Sequence, residues 1–492
     1  MQRATVPDSG WPPRLAQQAR LAELEALIGS DPSDHGIADL AIERAALLGA
    51  LNRHDDARQA FIDILRQAPT HFSALNEFGA LLASIGAIAA ACRVYAEAIL
   101  HHPDNPMAQI NLANLLFRAS RFDDARRHYE AALQTDPDNP QAHQGLGAVL
   151  SDLGERAAAR VHFDKGFRGR AISTLRYRGD KPPIPLLQLV SSGGGNIPAA
   201  VFLDDTVFQI SVIVADYLEP SAPLPPHRLI FNAIGDADLC RPALDAAMAL
   251  TARTSGTVLN DPRAVMETGR IANARRLGTI PGVVAPLTLA MRRDALAGPD
   301  GPAMLANSGF AFPLLLRCPG YHTGRNFVLV PTADDLALAA SSLPGDELIV
   351  IAYLDARKRD GMARKYRVMM VGGKLYPLHL AISPHWKVHY FTSEMADNAD
   401  HRLEEAAFLE DMRGTIGNRA VAALEQINKS LGLDYAGVDF GLDESGDLLL
   451  FEANATMVIA RPDDDSRWAY RRDAIESVIA ATVDLIRSRS QQ

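Results

Sequence analysis

The sequence has few cysteines and contains no long apolar segment. Only Cys92, Cys240 and Cys318 occur among its 492 residues, and they are widely spaced. An odd number at such distances excludes a disulfide framework and a cysteine zinc site, and it predicts a reducing, cytoplasmic location. No apolar run approaches the roughly 20 residues that cross a bilayer, and the N-terminus lacks a basic segment followed by an apolar core. We therefore expect neither membrane association nor a secretory signal.

The composition is that of an ordinary globular protein with an excess of acidic residues. Hydrophobic residues make up 48% of the chain and charged residues 22%, and the net charge is −10. This negative charge argues against nucleic acid as the main partner. A chain of this length is expected to form two to four domains.

A 34-residue period is the clearest pattern in the N-terminal third. Pro69, Pro103 and Pro137 recur at this interval. Three further columns share the period, one of small residues, one of alanine and one of aromatic residues: Ala45, Gly79, Ala113 and Gly147; Ala57, Ala91, Ala125 and Ala159; and Phe61, Tyr95, Tyr129 and Phe163. Small residues let paired helices approach, and the aromatic residues fill the gaps between repeats. The pattern resembles the tetratricopeptide repeat family.

The resemblance implies an all-α solenoid of about four repeats from Asp39 to Phe167, within a domain that spans residues 14–168 and begins with an irregular helix near Arg14. Such arrays usually bind a peptide or protein partner in a groove. The alternative is a dimerisation or folding module, and a homodimer is one form of it. Asn76, Asn111, Asn114 and His143 lie on the groove-lining helices, where they either clamp a peptide backbone or are ordinary polar residues.

Beyond a linker at residues 169–183, the pattern changes to strands separated by helices. Strands are predicted at Leu186–Val190, Arg228–Phe231 and Thr257–Leu259, and a helix at Pro242–Arg253, which indicates a small α/β unit with a parallel sheet. Ligands of such sheets bind beyond the carboxyl ends of the strands. The loops there are expected to bind substrate through Gly194, Gly195, Asn196, Asn232 and Asp236, although a glycine run is often only a turn.

Two strands joined by a turn are predicted within Leu431–Ile459. Asp439, Glu452 and Asn454 interrupt this apolar stretch, and Glu452 and Asn454 face the same side because they are two residues apart. A hairpin brings Asp439 beside them. Two carboxylates and an amide oxygen suit Mg²⁺, and the alternative is a solvated hairpin with surface acids.

The spacing Asp-x12-Glu-x-Asn resembles the magnesium-binding hairpin of ATP-grasp ligases such as D-alanine–D-alanine ligase and glutathione synthetase. The resemblance implies that Asp439, Glu452 and Asn454 hold Mg²⁺ against the phosphates of ATP. In that family a small residue, serine and Pro-Gly usually follow the asparagine, whereas this sequence has Ala455-Thr-Met-Val458. This departure concerns the substrate side of the site.

Further segments match the nucleotide-binding part of the same family. Arg270 and Arg317 occupy the positions of its two ATP-contacting lysines, and arginine keeps the charge while adding a planar fork. Pro319–Arg325 resembles the glycine-rich loop over the phosphates, which makes His322, Thr323 and Gly324 candidates. Strand Glu347–Leu354 implies adenine contact near Tyr353 and places Asp355 near the ribose. The alternative for both arginines is a surface ion pair.

Arg367 lies in a hairpin whose family counterpart carries an arginine that reaches the γ-phosphate, so it is a candidate for stabilising the acyl-phosphate step. Tyr376–Tyr390 departs from the family and contains three histidines and a lysine. His379, Lys387 and His389 are candidates for substrate contact or acid–base catalysis. The alternatives are a packed, non-catalytic strand or a zinc site of His379, His385 and His389.

Together these patterns predict a tetratricopeptide solenoid, an α/β pre-ATP-grasp domain at residues 184–287 and an α+β ATP-grasp domain at residues 288–488. The implied activity is an ADP-forming carboxylate–amine ligase that uses ATP and Mg²⁺ on a small-molecule carboxylate or amine. The repeat region would present a peptide or protein substrate. The alternatives are an ATP-dependent kinase of the same fold and a non-catalytic scaffold regulated by nucleotide.

Overall fold

The computed structural model describes residues 14–30, 37–321, 324–388, 390, 393–462 and 465–491. A helical repeat region is followed by a mixed α/β region. The chain forms two compact units, of which the first is Met1–Pro185 with Asp204–Leu224 and the second is Leu186–Leu203 with Pro225–Gln492. None of the helices in the described ranges is both long and apolar enough to span a bilayer.

Consecutive helices of the first unit pack against each other along the repeat region. Their bounds are α1 (Arg14–Ser30), α2 (Ile37–Ala50), α3 (His54–Gln67), α4 (Phe72–Ser84), α5 (Ile88–His101), α6 (Pro106–Arg118), α7 (Phe122–Thr135), α8 (Pro140–Leu153) and α9 (Arg156–Phe167). Asn-Pro pairs start α6 and α8: the amide oxygens of Asn105 and Asn139 accept backbone N–H groups at 3.0 Å, and proline takes the first helical position.

The aromatic column of the repeat is buried between helices. Phe61, Tyr95, Tyr129 and Phe163 are at most 5% exposed. A Cβ atom on Gly79 would lie 2.6 Å from the ring of Tyr95, and one on Gly147 would lie 2.6 Å from the ring of Phe163. Glycine in the small-residue column therefore allows these helices to approach closely.

The remaining elements mix strands and helices. They are β1 (Ile172–Thr174), β2 (Ile184–Val190), β3 (Phe208–Val214), β4 (Leu229–Asn232), α10 (Arg241–Thr251), β5 (Thr257–Leu259), α11 (Pro262–Met266), α12 (Arg270–Leu277), β6 (Val283–Val284), β7 (Thr288–Arg292), α13 (Arg293–Ala297), α14 (Gly301–Asn307), β8 (Leu314–Arg317), β9 (Phe327–Val330), α15 (Leu336–Ser342), β10 (Glu347–Ala352), β11 (Ala363–Val371), β12 (Lys374–Ser383), α16 (Ala399–Glu410), α17 (Met412–Leu431), β13 (Tyr435–Leu442), β14 (Leu448–Asn454) and α18 (Arg472–Arg489). The strands predicted around residues 186, 228 and 257 correspond to β2, β4 and β5.

The segment predicted as a linker differs from that expectation because it contains β1. This strand pairs antiparallel with β3, so that Ile172 lies opposite Ile213. In the same unit, the Tyr217 hydroxyl donates to the carboxylate of Asp164 in α9 at 2.8 Å, and the Tyr217 ring lies 5.6 Å from that of Phe167. Residues 204–224 therefore pack with the end of the repeat region.

The strands of the second unit form three groups. β2, β4 and β5 are parallel. β7, β10, β8 and β9 form an antiparallel sheet in that order. β12, β11, β13, β14 and β6 form the third sheet in that order, antiparallel except that β6 runs parallel to β14.

The third sheet has an apolar side and a charged side along β11. Tyr366 packs against Phe408 of α16 and Phe440 of β13, with ring centroids 5.0 and 5.3 Å apart. Successive side chains of a strand point to opposite faces, so Lys365 and Arg367 point away from this aromatic cluster.

Candidate nucleotide and metal site

A row of polar side chains crosses four strands of the third sheet. His379 of β12 lies opposite Arg367 of β11, Arg367 lies opposite Asp439 of β13, and Asp439 lies opposite Glu452 of β14. Directly opposed residues share a face of the sheet. Asn454 follows two residues after Glu452 and lies opposite Gly437, so it joins the same face. The structure thus brings together the three residues predicted to bind Mg²⁺.

Asp439 is buried and holds two basic side chains. Arg367 donates to its two carboxylate oxygens at 2.6 and 2.8 Å, and Lys365 Nζ donates to Oδ2 at 3.1 Å. Burial alone would raise the pKa of Asp439, but the positive charges of Arg367 and Lys365 outweigh it and hold this pKa far below its ordinary value. Asp439 is therefore a carboxylate at neutral pH.

Glu452 binds Arg270, the first of the two arginines predicted to contact ATP. Arg270 Nη2 donates to Glu452 Oε1 at 2.7 Å, and Asn454 Nδ2 donates to the same oxygen at 3.0 Å. The amide oxygen of Asn454 accepts from the backbone and hydroxyl of Thr456, both at 2.9 Å. Burial lowers the pKa of Arg270, but its attraction to Glu452 outweighs this effect and the net pKa is raised.

Arg317 lies near the same pair at the end of β8. Burial, with repulsion by Arg270 second, lowers the pKa of Arg317 to about 10. Its guanidinium group donates to the carbonyl oxygen of Tyr321 and lies 5.5 Å from the ring centre of Phe327. A buried cation whose charge is disfavoured in this way is suited to bind an anion. Arg270 and Arg317, predicted from separate segments, are thus neighbours.

Lys387 extends this basic cluster. Its Nζ atom donates to the carbonyl oxygen of Gly324 and lies 3.5 Å from that of Phe327. Partial burial, and secondly Arg317, lowers its pKa. Lys387 therefore contacts the glycine-rich loop rather than the polar row of the third sheet. Gly324 has a φ of +71°, whereas the predicted nucleotide contacts His322 and Thr323 and the catalytic candidate His389 lie outside the described residues.

A cleft opens beside Glu452 in the second unit. It encloses about 540 Å³, including space open to solvent. The lining includes Asp236, Asp238, Thr268, Arg270, Glu452 and Asn454. The backbone N–H of Arg270 donates to Asp238 at 3.0 Å, and burial raises the pKa of Asp238. Charged groups of both signs therefore meet at the wall of the cleft formed by the end of β14.

The two loops predicted to bind substrate are joined to each other. The carbonyl oxygen of Gly195 accepts from the backbone of Gly235 and Asp236 at 2.9 and 3.1 Å. A Cβ atom on Gly195, whose φ is +66°, would lie 2.6 Å from the sulfur of Cys240. The backbone carbonyl oxygen of Gly194, a residue whose φ is +94°, accepts from the Cys240 thiol at 3.1 Å. Gly195 therefore allows close packing of the two loops, and Gly194 adopts a left-handed backbone conformation that favours glycine.

The polar residues of the same loops bind backbone groups. Asn196 spans its own loop through two 2.8 Å bonds to Ser191, and Asp236 accepts from the N–H groups of Asp238 and Leu239. Asn232 departs from the expectation of a loop ligand: it is the last residue of β4, it is fully buried, and its amide donates to the carbonyl of Asn260 at 2.9 Å. Its side chain holds the loop and does not face the cleft.

Tyr353 and Asp355 follow β10, whose Ile351 lines the cleft. Arg357 binds the exposed carboxylate of Asp355 through bonds of 2.6 to 3.1 Å, and this interaction is the largest cause that lowers the pKa of Asp355. Burial raises the pKa of Tyr353. A ribose hydroxyl would therefore share Asp355 with Arg357.

His379 is a buried residue at the edge of the polar row. It is 6% exposed, and its Nδ1 atom has no hydrogen-bond partner. Burial, and secondly Arg367, places its pKa well below the ordinary value, so the ring is neutral at pH 7. The ring of Tyr390 lies 4.8 Å away. His385, by contrast, is exposed. In the described ranges, no group of three or more His, Cys, Asp or Glu residues is arranged to hold a metal ion.

A buried carboxylate adjoins His379 but was not singled out from the sequence. Glu405 of α16 is fully buried and accepts from the hydroxyls of Tyr390 and Tyr470 and from the backbone of Leu380. Arg471 approaches it to 3.4 Å. Lys365 was missed as well. Its signal was the alternation Lys365-Tyr-Arg367, which puts both basic residues on one face of a strand.

The donor set fits a hard divalent cation. Two carboxylates and an amide share one sheet face, and each carboxylate contacts a guanidinium group of the protein. Bound Mg²⁺ would take oxygens of Asp439 and Glu452 in place of these basic groups. The oxygen of Asn454 would have to be shared with Thr456.

The polar residues considered for the groove of the repeat region bind other helices. Asn76 is buried and accepts from Asn111 at 2.8 Å, and Asn114 accepts from the Tyr129 hydroxyl at 2.5 Å. His143 is buried and binds His162 at 2.8 Å and the carbonyl of Pro137 at 2.9 Å. These contacts favour the interpretation that the four residues hold helices together.

Comparison with known proteins supports the prediction of tetratricopeptide repeats in the helical region. A tetratricopeptide repeat model matches residues 116–167. This match indicates protein–protein interaction without specifying a partner. No curated protein sequence matches the chain.

Similar solved structures cover about a third of the chain. One is a crystal structure of MamA, with 18% identity and a TM-score of 0.28, covering 31% of this chain and 88% of that one. A second is MamA from Desulfovibrio magneticus, with 22% identity, a TM-score of 0.28, and coverage of 31% and 85%. A third is a tetratricopeptide repeat protein from Parabacteroides merdae, with 13% identity, a TM-score of 0.28, and coverage of 31% and 59%.

Proposed function

We propose that this chain is an ATP-dependent carboxylate–amine ligase that forms an amide through an acyl phosphate. The observation that supports it best is the ion pair of Arg270 with Glu452, which has Arg317 nearby and lies next to the pair of Arg367 and Asp439 on neighbouring strands. These residues come from four separate segments of the sequence. Buried basic groups around paired carboxylates are suited to bind a polyphosphate together with a divalent cation.

The basic side chains have distinct tasks in this proposal. Arg270 and Arg317 bind anionic oxygens of the nucleotide, and Arg367 neutralises charge that develops on the transferred phosphoryl group. When bound, Mg²⁺ would neutralise and orient the phosphates. The chain itself mainly positions the reactants, because an acyl phosphate reacts readily once an amine is held next to it.

His379 is the candidate that accepts a proton from the attacking amine. Its Nδ1 atom has no hydrogen-bond partner and is open to accept a proton, whereas burial and the nearby Arg367 lower the pKa of the ring and so disfavour its charged form. It lies opposite Arg367 of β11, which separates it from Asp439 of β13. Lys387, bound to the loop carbonyl of Gly324, is the candidate that holds this loop near the basic cluster.

The repeat region is proposed to present a peptide or a protein-bound substrate to the ligase part. The family match at residues 116–167 supports protein binding in general. The polar side chains considered for peptide contact are engaged between helices, so recognition would depend on other groups of the array.

Incubation with ATP, Mg²⁺ and a panel of amino acids and short peptides tests the activity. The expected result is ADP together with a new amide, identified by mass spectrometry. A stable phosphorylated product would indicate an ATP-dependent kinase instead. Nucleotide binding without turnover of any acceptor would favour a regulated scaffold.

A further inference from the structure

Each carboxylate of the predicted metal site already holds basic groups of the protein. Asp439 binds Arg367 through two bonds and Lys365 through one, and Glu452 binds Arg270. The side chains of these three cations are only 15 to 18% exposed. Water therefore offers little compensation to a cation that loses its carboxylate.

The basic groups and the carboxylates of this cluster are equal in number. Lys365, Arg367, Arg270 and Arg317 surround two carboxylates, and the latter two arginines repel each other. Two further acids stand near Arg270 and accept from backbone N–H groups: Asp236 from those of Asp238 and Leu239, and Asp238 from that of Arg270. A divalent cation that enters alone therefore adds positive charge that nothing balances, whereas a polyphosphate that enters with it supplies the compensating negative charge.

We infer that a divalent cation enters this site only together with a polyphosphate, and that Lys365 links the two binding events. A cation alone would have to displace Lys365 and Arg367 from Asp439 and leave them buried without a partner. A polyphosphate offers these groups new anionic oxygens at the moment when the cation takes Asp439. The inference rests on the proposed function, because it concerns the same nucleotide site.

Lys365 is the group suited to change partners. Arg367 holds Asp439 through two parallel bonds, whereas Lys365 makes one bond of 3.1 Å to an oxygen that Arg367 also uses. An ammonium group on a flexible stem reorients more easily than a paired planar fork. The released Lys365 would bind an oxygen of the nucleotide or of the acyl phosphate. In this way Lys365 would couple the binding of the cation to the binding of the polyphosphate.

Titration of the full chain with Mn²⁺ tests this inference, because Mn²⁺ shares the oxygen ligands of Mg²⁺. Electron paramagnetic resonance measures free Mn²⁺ directly. Binding is measured with Mn²⁺ alone and with Mn²⁺ in the presence of the non-hydrolysable imido analogue of ATP, whose affinity is determined in parallel by calorimetry. The expected result is Mn²⁺ affinity that is at least roughly tenfold higher with the analogue than without it.

Variants at Lys365 separate coupling from simple binding. Lys365→Met removes the charge at similar length, so we expect Mn²⁺ alone to bind roughly tenfold more tightly and the analogue with Mn²⁺ to bind roughly tenfold more weakly. Lys365→Arg keeps the charge on a planar fork that reorients less easily, so it should bind Mn²⁺ alone as weakly as the wild type and gain less affinity from the analogue. Lys374→Met, at the exposed start of β12, is the matched control and should change neither affinity.

The outcomes distinguish this inference from the proposed function. Equal Mn²⁺ affinity with and without the analogue, while the analogue still binds, would overturn the coupling and leave nucleotide binding intact. Unchanged affinities in Lys365→Met would overturn the role of Lys365. Absence of binding under every condition would overturn both proposals.

Discussion

At the scale of single residues, Glu452 connects Arg270 with the row of polar side chains on the third sheet. It binds Arg270 at 2.7 Å and lies opposite Asp439. Glu452→Gln keeps the shape and removes the charge, so we expect ADP formation to be abolished. Because Arg270 loses its carboxylate, the free energy of unfolding should also fall, by about 1–3 kcal/mol. Glu444→Gln in the neighbouring turn, where the side chain is 84% exposed, is the control. Wild-type rates of ADP release by Glu452→Gln would contradict the metal assignment.

Arg270 and Arg317 are the residues for which nucleotide affinity is the direct measurement. Each single change to alanine should weaken ATP binding by about 1–3 kcal/mol, the range for a lost bond to a charged group. Arg263→Ala is the control, because that side chain is 78% exposed and pairs with Asp261. Calorimetry that finds the wild-type affinity in both site variants would exclude them as phosphate contacts.

At the scale of elements, α16 brings a buried carboxylate to the edge of β12. Burial raises the pKa of Glu405 despite Arg471 and two tyrosine hydroxyls. Because the folded-state pKa lies above the unfolded one, this group stabilises the protein at pH values below its unfolded pKa, and this contribution is lost as pH rises through the folded pKa. Glu405→Gln removes the titrating carboxyl group and keeps an oxygen that can accept from the hydroxyls of Tyr390 and Tyr470.

We therefore expect the free energy of unfolding of the wild type, relative to that of Glu405→Gln, to decrease as the pH is raised from 4 towards neutrality. Urea unfolding of both proteins at a series of pH values measures this difference, in which the other titrating groups largely cancel. A difference that increases with pH would mean that the folded state lowers the pKa of Glu405, contrary to the structure.

The elements of the candidate site were predictable where the sequence is periodic. The hairpin follows from the turn at Asp443–Gly446 between two apolar runs, and it appears as β13 and β14. Alternation along these strands was enough to put Asp439, Glu452 and Asn454 on one face. The repeat helices were predictable because one period recurs over more than 100 residues of sequence.

The contacts between distant elements were not predictable from local patterns. Nothing near Lys365 indicates that it binds a residue on another strand 74 positions away. Glu405 resembles its exposed acidic neighbours in α16, and only the fold buries it. Asn232 was expected in a loop because the end of β4 could not be fixed to one residue, and that residue decides whether the side chain is buried.

At the scale of the whole molecule, the repeat region and the candidate site belong to different units of the chain. Every nucleotide candidate lies at or beyond Arg270, in the second unit. A fragment of residues 169–492 should therefore bind the ATP analogue with the affinity of the full chain. It should lose activity on the natural acceptor if the repeats recruit that acceptor.

The same deletion removes partners of Tyr217, because Asp164 and Phe167 lie in α9. The fragment is thus expected to unfold at a lower temperature than the full chain, and a longer fragment that begins at Arg156 and keeps α9 should recover part of the loss. Calorimetry with the analogue and thermal unfolding of both fragments measure these effects. Loss of analogue binding by both fragments would mean that the repeats contribute to the nucleotide site. Unchanged kcat/KM with the natural acceptor would mean that they do not recruit it and would favour a role in dimerisation.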